Sequence, residues 1–368
     1  MKKYEMSDEE KKFLAGYDLT KYDRPSVAAD VVVFSVMKDD ECDDVRRLQE
    51  KKLKILLIRR GGFPYKGCWA MPGGFCKKGE DVIDSARREL CEETGIGDAY
   101  VKLVGVYGEP GRDPRGWVIS STYMALMNAR ACHLKAGDDA QDARWFTVEL
   151  TDVSTEMSGA GGHSVNEMST KVSGTGEEIV KNEDEASRKV QNEKRYRLVL
   201  KDADSDIKLT AVLRRTDMSS CGRSSDSYDI EECEGLAFDH ARIITEAVLG
   251  LREDVRRDMK LAFDLLPERF TLTELQNVYE QIWDMELTTP NFRRKIAEYV
   301  EETDAYQAGE RYRPAKLFRR RTGGYQRAGN RTDRGGDRHD GRRGHDFLHI
   351  ERWTFDDHAS VRLRHRYG

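Results

Sequence analysis

The segment GGFCKKGEDVIDSARRELCEETGI, residues 73–96, concentrates acidic side chains at a spacing that could do metal chemistry. Glu93 stands four residues beyond Glu89, and Glu92 three, so on a helix the three carboxylates share one face. Like charges that close repel. A divalent cation offsets the repulsion, and an all-oxygen donor set suits Mg²⁺ or Mn²⁺. Gly74 lets the backbone turn tightly and bring a carbonyl to the same ion. Arg88 adjoins Glu89 and is placed to pair with Glu80, which would hold the glutamates still. A site of this kind grips a diphosphate, activates a water and stabilises charge on the leaving phosphate. The competing reading is a merely solvated acidic stripe, the usual fate of a short run of glutamates on a helix.

The elements around the segment are those of a small α/β domain. Val31–Met37 and Leu53–Arg60 are β-branched and aliphatic runs of buried-strand type. A helical pattern from about Val82 to Thr94 ends at Gly95, a helix-terminating glycine. Strand-like runs recur at Val101–Tyr107, Trp117–Met127 and Arg144–Val148. Residues 1–27 read as a short charged helix and an extended lead-in, and the first domain closes near residue 150.

Beyond it, residues 151–235 read as a flexible insertion rich in Ser, Thr, Gly, Glu and Asn. It carries a β-hairpin over 194–215, with Tyr196, Leu198 and Leu200 facing Ile207, Leu209, Ala211 and Leu213. Residues 236–321 turn helical: a linking helix, then short helices near Asp254–Leu266, Leu272–Trp283 and Pro290–Val300, then a small hairpin. Thr271 and Glu274 have capping-box spacing, and Thr289 with Pro290 reads as N-cap and first helical residue. Three helices and a hairpin make a winged helix. Residues 322–368 form a basic low-complexity tail without apolar periodicity, expected to be disordered.

Gly74, Glu80, Arg88, Glu89, Leu90, Glu92, Glu93, Gly95 and Ile96 fill every slot of G-x5-E-x7-R-E-U-x-E-E-x-G-U, where U is bulky and aliphatic. By this pattern the chain resembles the Nudix hydrolases. The segments YDRPSVAADVVVF, RRGGFPYKGCWAMPGGF, YGEPGRDPRGWVISSTYMAL, LAFDHARII and LAFDLLPERFTLTELQNVYE are similar to the NrtR-like branch, in which a Nudix domain precedes a winged helix. The resemblance implies an αβα sandwich with a mixed sheet, followed by the inserted hairpin, the C-terminal winged helix and the tail. It implies Glu89, Glu92, Glu93 and Arg88 as catalytic residues, with Gly74 beside the metal. It also implies ligand contacts from Arg60, Glu109, Arg112 and Asp113, and a homodimer helped by the RPSV segment.

The family takes its general base from outside the box, and Asp138, Asp139, Asp142 and Glu109 are candidates, each equally explicable as a solvated loop residue. His240 in AFDHA fits helix-start or packing duty better than catalysis. For DNA, Asn291, Arg293, Arg294 and Lys295 lie off the apolar stripe Phe292, Ile296, Val300 of the third short helix, where a recognition helix meets bases and phosphates. Arg311, Arg313 and Lys316 on the wing could reach the backbone; the bland alternative is a solvated basic face.

The chain has 368 residues, 62 basic against 67 acidic, so its net charge of −5 excludes no partner class. Its seven cysteines follow no pattern of a disulfide framework or structural zinc site. No stretch approaches the ~18 apolar residues of a membrane span, so a cytoplasmic protein without membrane contact is expected. Two readings of function stand. One is a Mg²⁺-dependent hydrolase cleaving a nucleoside diphosphate linked to another group, most simply ADP-ribose to AMP and ribose 5-phosphate, with a DNA-binding winged helix. The other is an NrtR-like transcriptional regulator that senses the same ligand class without turnover. A hydrolase whose winged helix serves only protein contacts is a third.

Overall fold

The computed structural model describes residues 6–38, 51–97, 101–128, 140–154, 190–220, 223–307 and 314–321. Its centre is a ten-stranded mixed sheet. The strands are β1 (Ser26–Lys38), β2 (Lys51–Arg60), β3 (Trp69–Ala70), β4 (Gly73–Phe75), β5 (Val101–Tyr107), β6 (Val118–Leu126), β7 (Ala140–Asp152), β8 (Val190–Asp202), β9 (Lys208–Ser220) and β10 (Arg223–Glu234). Their order is β10-β9-β8-β7-β2-β1-β6-β5, with β3 on β2 and β4 on β1. The β1–β6 pair is parallel, which gives the sheet its mixed character.

Strand alternation explains why β1 is buried from Ala28 to Val36. Val32, Phe34 and Val36 face one layer, and Ala29, Val31 and Val33 face the other. On the second face packs α2 (Val82–Thr94) through Ala86 and Leu90. On the first packs the long helix α3 (His240–Arg257), whose Ile243, Ile244, Val248 and Leu251 are fully buried. Sheet between helices is the expected αβα arrangement. At the N-terminus, α1 (Asp8–Ala15) starts with a Ser7–Glu10 capping box and buries none of its own residues.

The insertion differs from its expectation. Residues 155–189 lie outside the described residues, but the rest is not a separate hairpin. β8 pairs with β7 over Phe146–Asp152, β9 pairs with β8, and β10, for which no strand was expected, pairs with β9. Tyr196, Leu198, Leu200, Leu209, Ala211 and Leu213 thereby join the same core as α3. The hairpin's apolar face needs a partner to bury it, and the sheet edge offered by β7 supplies one.

The C-terminal unit holds a 3₁₀ stretch (Met259–Leu265), β11 (Arg269–Phe270), α4 (Leu272–Trp283), α5 (Thr289–Ile296), β12 (Val300–Tyr306) and β13 (Lys316–Arg320), in strand order β11-β13-β12. No helix spans 254–266. Val255 continues the buried stripe of α3 to Arg257, and Asp258 then caps the 3₁₀ turn by accepting from the Lys260 N–H. The capping box at Thr271 and Glu274 is present. α5 begins one residue earlier than expected, with Thr288 at the cap position, and Val300 belongs to β12 rather than to the helix. Phe292, Ile296 and Val300 are nevertheless all buried, against a core that includes Leu275, Tyr279 and Ile282. A largely buried ion pair, Lys51 Nζ to Glu274 Oε1 at 3.0 Å, ties β2 to α4.

Candidate active site

The acidic segment folds as a strand, a loop and α2. β4 pairs with β1, and the Glu89 side chain of α2 lies so close to it that a methyl on Gly74 would be 2.5 Å from the Glu89 carboxyl carbon. Asp81 caps α2, and Gly95 ends it with φ +78°, a conformation that favours glycine. Arg88 organises the face between. Its Nε and Nη2 donate to the two Glu80 oxygens at 2.7 and 3.0 Å, and its Nη1 donates to Glu89 at 2.6 Å and Glu92 at 3.0 Å. The hydrogen bonds from Arg88 first, and from Ser85 second, hold the Glu80 carboxyl at about 2, well below the usual range. Glu93 is buried and accepts from the Gly73 N–H at 2.8 Å.

Hard oxygen donors on one helix face, with a glycine backbone pressed against one of them, fit a divalent ion. Among the described residues, however, no three acidic side chains converge as a ready set of ligands. Glu89 and Glu92 are turned onto the Arg88 guanidinium, which takes the position of the counter-charge.

The structure gathers Arg60, Glu109, Arg112 and Asp113 around the start of α3. Arg112 forms a bidentate, nearly buried pair with Asp239, at 2.9 and 2.8 Å. Glu109 accepts from Arg242 at 2.8 Å. Asp113 takes Arg115; burial alone would raise its pKa, but the bonds from the Arg115 side chain and backbone outweigh burial and keep it low. Arg60 donates to the Pro64 carbonyl at 2.9 Å. His240 is buried at the head of α3, and its Nδ1 accepts from the Met71 N–H at 3.0 Å, so burial pushes its pKa to about 4. That is a packing role.

Asp138 and Asp139 lie outside the described residues, as do Arg311 and Arg313. Asp142 is on β7, held by Arg144 at 2.6 Å. On α5, Asn291, Arg293, Arg294 and Lys295 are all exposed, and Arg294 donates to Asn291 at 3.3 Å. Lys316 pairs with Glu302 within the wing. Sequence reasoning missed Arg115, Phe75, Phe238 and Asp239. Arg115 packs over the Phe75 ring at 4.8 Å and the Phe238 ring at 5.4 Å. Phe75 and Arg115 are forty residues apart in the chain, so no linear spacing marks them.

Residues 44–161 match the NUDIX domain family, and residues 262–320 match the family described as the NrtR DNA-binding winged helix domain. The chain is 29% identical over 315 residues to the ADPR responsive transcriptional repressor NtrR of Acinetobacter baylyi, covering 84% of this chain and 88% of that one. It is 42% identical over 141 residues to the ADP-ribose pyrophosphatase of Methanocaldococcus jannaschii, covering 38% of this chain and 73% of that one. A MutT/nudix family protein from Enterococcus faecalis shares the fold with a TM-score of 0.54 and 24% identity, over 85% of this chain and 93% of its own. The complete acidic box, the αβα domain that carries it and the matched winged helix together place the chain in the Nudix family, in the branch where an ADP-ribose-pyrophosphatase-like domain is joined to an NrtR-type DNA-binding domain.

Proposed function

We propose that the chain is a Mg²⁺-dependent Nudix hydrolase that cleaves ADP-ribose to AMP and ribose 5-phosphate, and that its winged helix binds double-stranded DNA. The carrying observation is the intact carboxylate face of α2, with Glu89 pressed on Gly74, Glu93 on the Gly73 N–H, and Arg88 holding Glu80, Glu89 and Glu92. A bound divalent ion would supply Lewis acidity and a more acidic water. The chain's own part is to hold Glu89, Glu92 and Glu93 at fixed positions, with Gly74 at their side and Asp138, Asp139 or one of the glutamates taking the proton. The ligand class comes from the pyrophosphatase relative. The basic residues of α5, with Arg313, would meet phosphates and base edges. A homodimer in the cytoplasm remains part of the proposal. Among the described residues, no helix is long and apolar enough to cross a membrane.

A second reading, a sensor without turnover, is favoured by one specific observation. Glu109 and Arg112, expected at the ligand, are engaged with Arg242 and Asp239 of the helix that leads into the winged helix. AMP production from ADP-ribose with Mg²⁺ separates the two. AMP formed supports the hydrolase. No AMP but a raised melting temperature makes the domain a sensor, and neither effect removes ADP-ribose as the ligand.

A further inference from the structure

The sheet is open, with β5 at one end and β10 at the other, and among the described residues no strand pairs with the outer edge of either. Both ends nevertheless rest on α3. From β5, Lys102 pairs with Asp254 at 2.6 Å, and the Tyr107 hydroxyl donates to Glu246 at 2.8 Å. From the other end, Ile230 of β10 packs on the core that α3 joins. Between the two edges lies a cavity of about 390 Å³, walled by Val104 of β5 and Tyr228 of β10 and floored by Leu249 and Gly250 of α3. At Gly250 an added methyl would meet nothing within 4 Å, so the floor is open. An unpaired strand edge is a template for another strand, and here two such edges flank one gap.

We propose that residues 361–367 of this chain, VRLRHRY, add as a strand in the gap and close the sheet around α3. These residues lie outside the described ones. The tail as a whole lacks apolar periodicity, but here Val361, Leu363 and Tyr367 alternate with Arg362, Arg364 and Arg366. Such alternation suits a strand with one covered face. The charges that line the cavity are already paired: Lys102 with Asp254, Arg215 with Asp226 at 3.4 Å, and Glu246 with Arg242 at 2.7 Å. Its α3 side therefore asks for apolar side chains rather than for an ion. The opposite face is acidic. β10 carries five carboxylates against Arg223 alone. Of these, Glu232 and Glu234 stand opposite Val212 and Thr210 of β9, on the face away from the buried Ala211 and Leu213, and form no ion pair among the described residues. Arginines on that face of an added strand meet them. Strand addition supplies main-chain hydrogen bonds at both edges, and the alternate side chains supply specificity. The tether is long enough, since forty residues separate Arg321 from Val361, a reach of up to about 130 Å.

The test is amide exchange in the full chain, followed over residues 101–107 and 225–232. Wild type should protect both edges. Leu363→Pro removes a ladder donor and should speed exchange at both by about tenfold or more. A synthetic peptide of sequence SVRLRHRYG, added to that variant, should restore the protection, and the same peptide with proline in place of its leucine should not. Gly250→Leu extends into the open floor of the cavity without a clash. It should expose both edges with no loss of melting temperature. Edges that exchange in Leu363→Pro as they do in wild type overturn the inference. So does a peptide that fails to restore protection, or a Gly250→Leu variant that keeps it. Wild-type protection that disappears on serial dilution would hand the gap to a second copy of the chain, and overturns it as well.

Discussion

Gly74→Ala is the most informative small change at the carboxylate face. The added methyl would sit 2.5 Å from the Glu89 carboxyl carbon and 2.5 Å from its Oε1. Ordinary contact between such atoms begins near ~3.5 Å, so the carboxylate must retreat by about 1 Å. It cannot swing freely, because Arg88 Nη1 holds it at 2.6 Å and its side chain is only 14% exposed. A misplacement of about 1 Å at a reacting centre costs on the order of 100-fold, or about 2.7 kcal/mol of barrier. Gly62→Ala is the control, since its methyl would have nothing within 4 Å. AMP release from ADP-ribose under saturating Mg²⁺ reads the effect, and the melting temperature reports folding. Loss of turnover at nearly wild-type melting temperature is expected. Turnover within about threefold of wild type would mean that Glu89 does not need the position Gly74 gives it.

Three further outcomes are expected. Arg112→Ala leaves the mostly buried Asp239 without its bidentate partner; urea unfolding should show a loss of about 3–5 kcal/mol, and the double variant Arg112→Ala/Asp239→Ala should lose less than the two single losses summed. His240 has a folded pKa of about 4, below its unfolded value, so its neutral form contributes stability that is complete above about pH 6.5 and is lost as pH falls toward 4. The drop should be roughly 3 kcal/mol in melts across that window, and His240→Gln, which can still accept from Met71, should flatten it. Arg293→Gln with Arg294→Gln should weaken binding to a random-sequence duplex and reduce the slope of log K on log salt by about 1 per lost phosphate contact, measured by anisotropy.

The local features were legible because local physics writes them into neighbouring residues. Glu89, Glu92 and Glu93 share a face by helical periodicity, Gly95 must end α2, and Thr271 with Glu274 announces α4. β1 could be recognised from its β-branched run, and the hairpin of β8 and β9 from alternation. β10 could not. RSSDSYDIEECE has only Tyr228 and Ile230 as large apolar residues on its covered face, too few to stand out as an alternating stripe. Nor could the pairing of β8 with β7, because alternation identifies the buried face of a strand but not its neighbour. The end of α3 was misplaced because Asp254 reads as a helix start while Val255 in fact continues the stripe. Around the site, Arg112 and Asp239 are 127 residues apart, and Glu109 and Arg242 are 133 apart. Ion pairs of that reach are set by how the sheet and α3 pack, and no window of sequence contains both partners.

The central claim is that the carboxylate face of α2 is catalytic, and ³¹P NMR of ADP-ribose with Mg²⁺ tests it on the wild type and Glu93→Gln. The glutamine can still accept from the Gly73 N–H, so the fold around it should survive while the charge is lost. Wild type should convert the two coupled diphosphate resonances into two monophosphate signals, and the variant should leave them unconverted. A variant that turns over like the wild type, or a wild type that leaves the diphosphate intact, would contradict the claim.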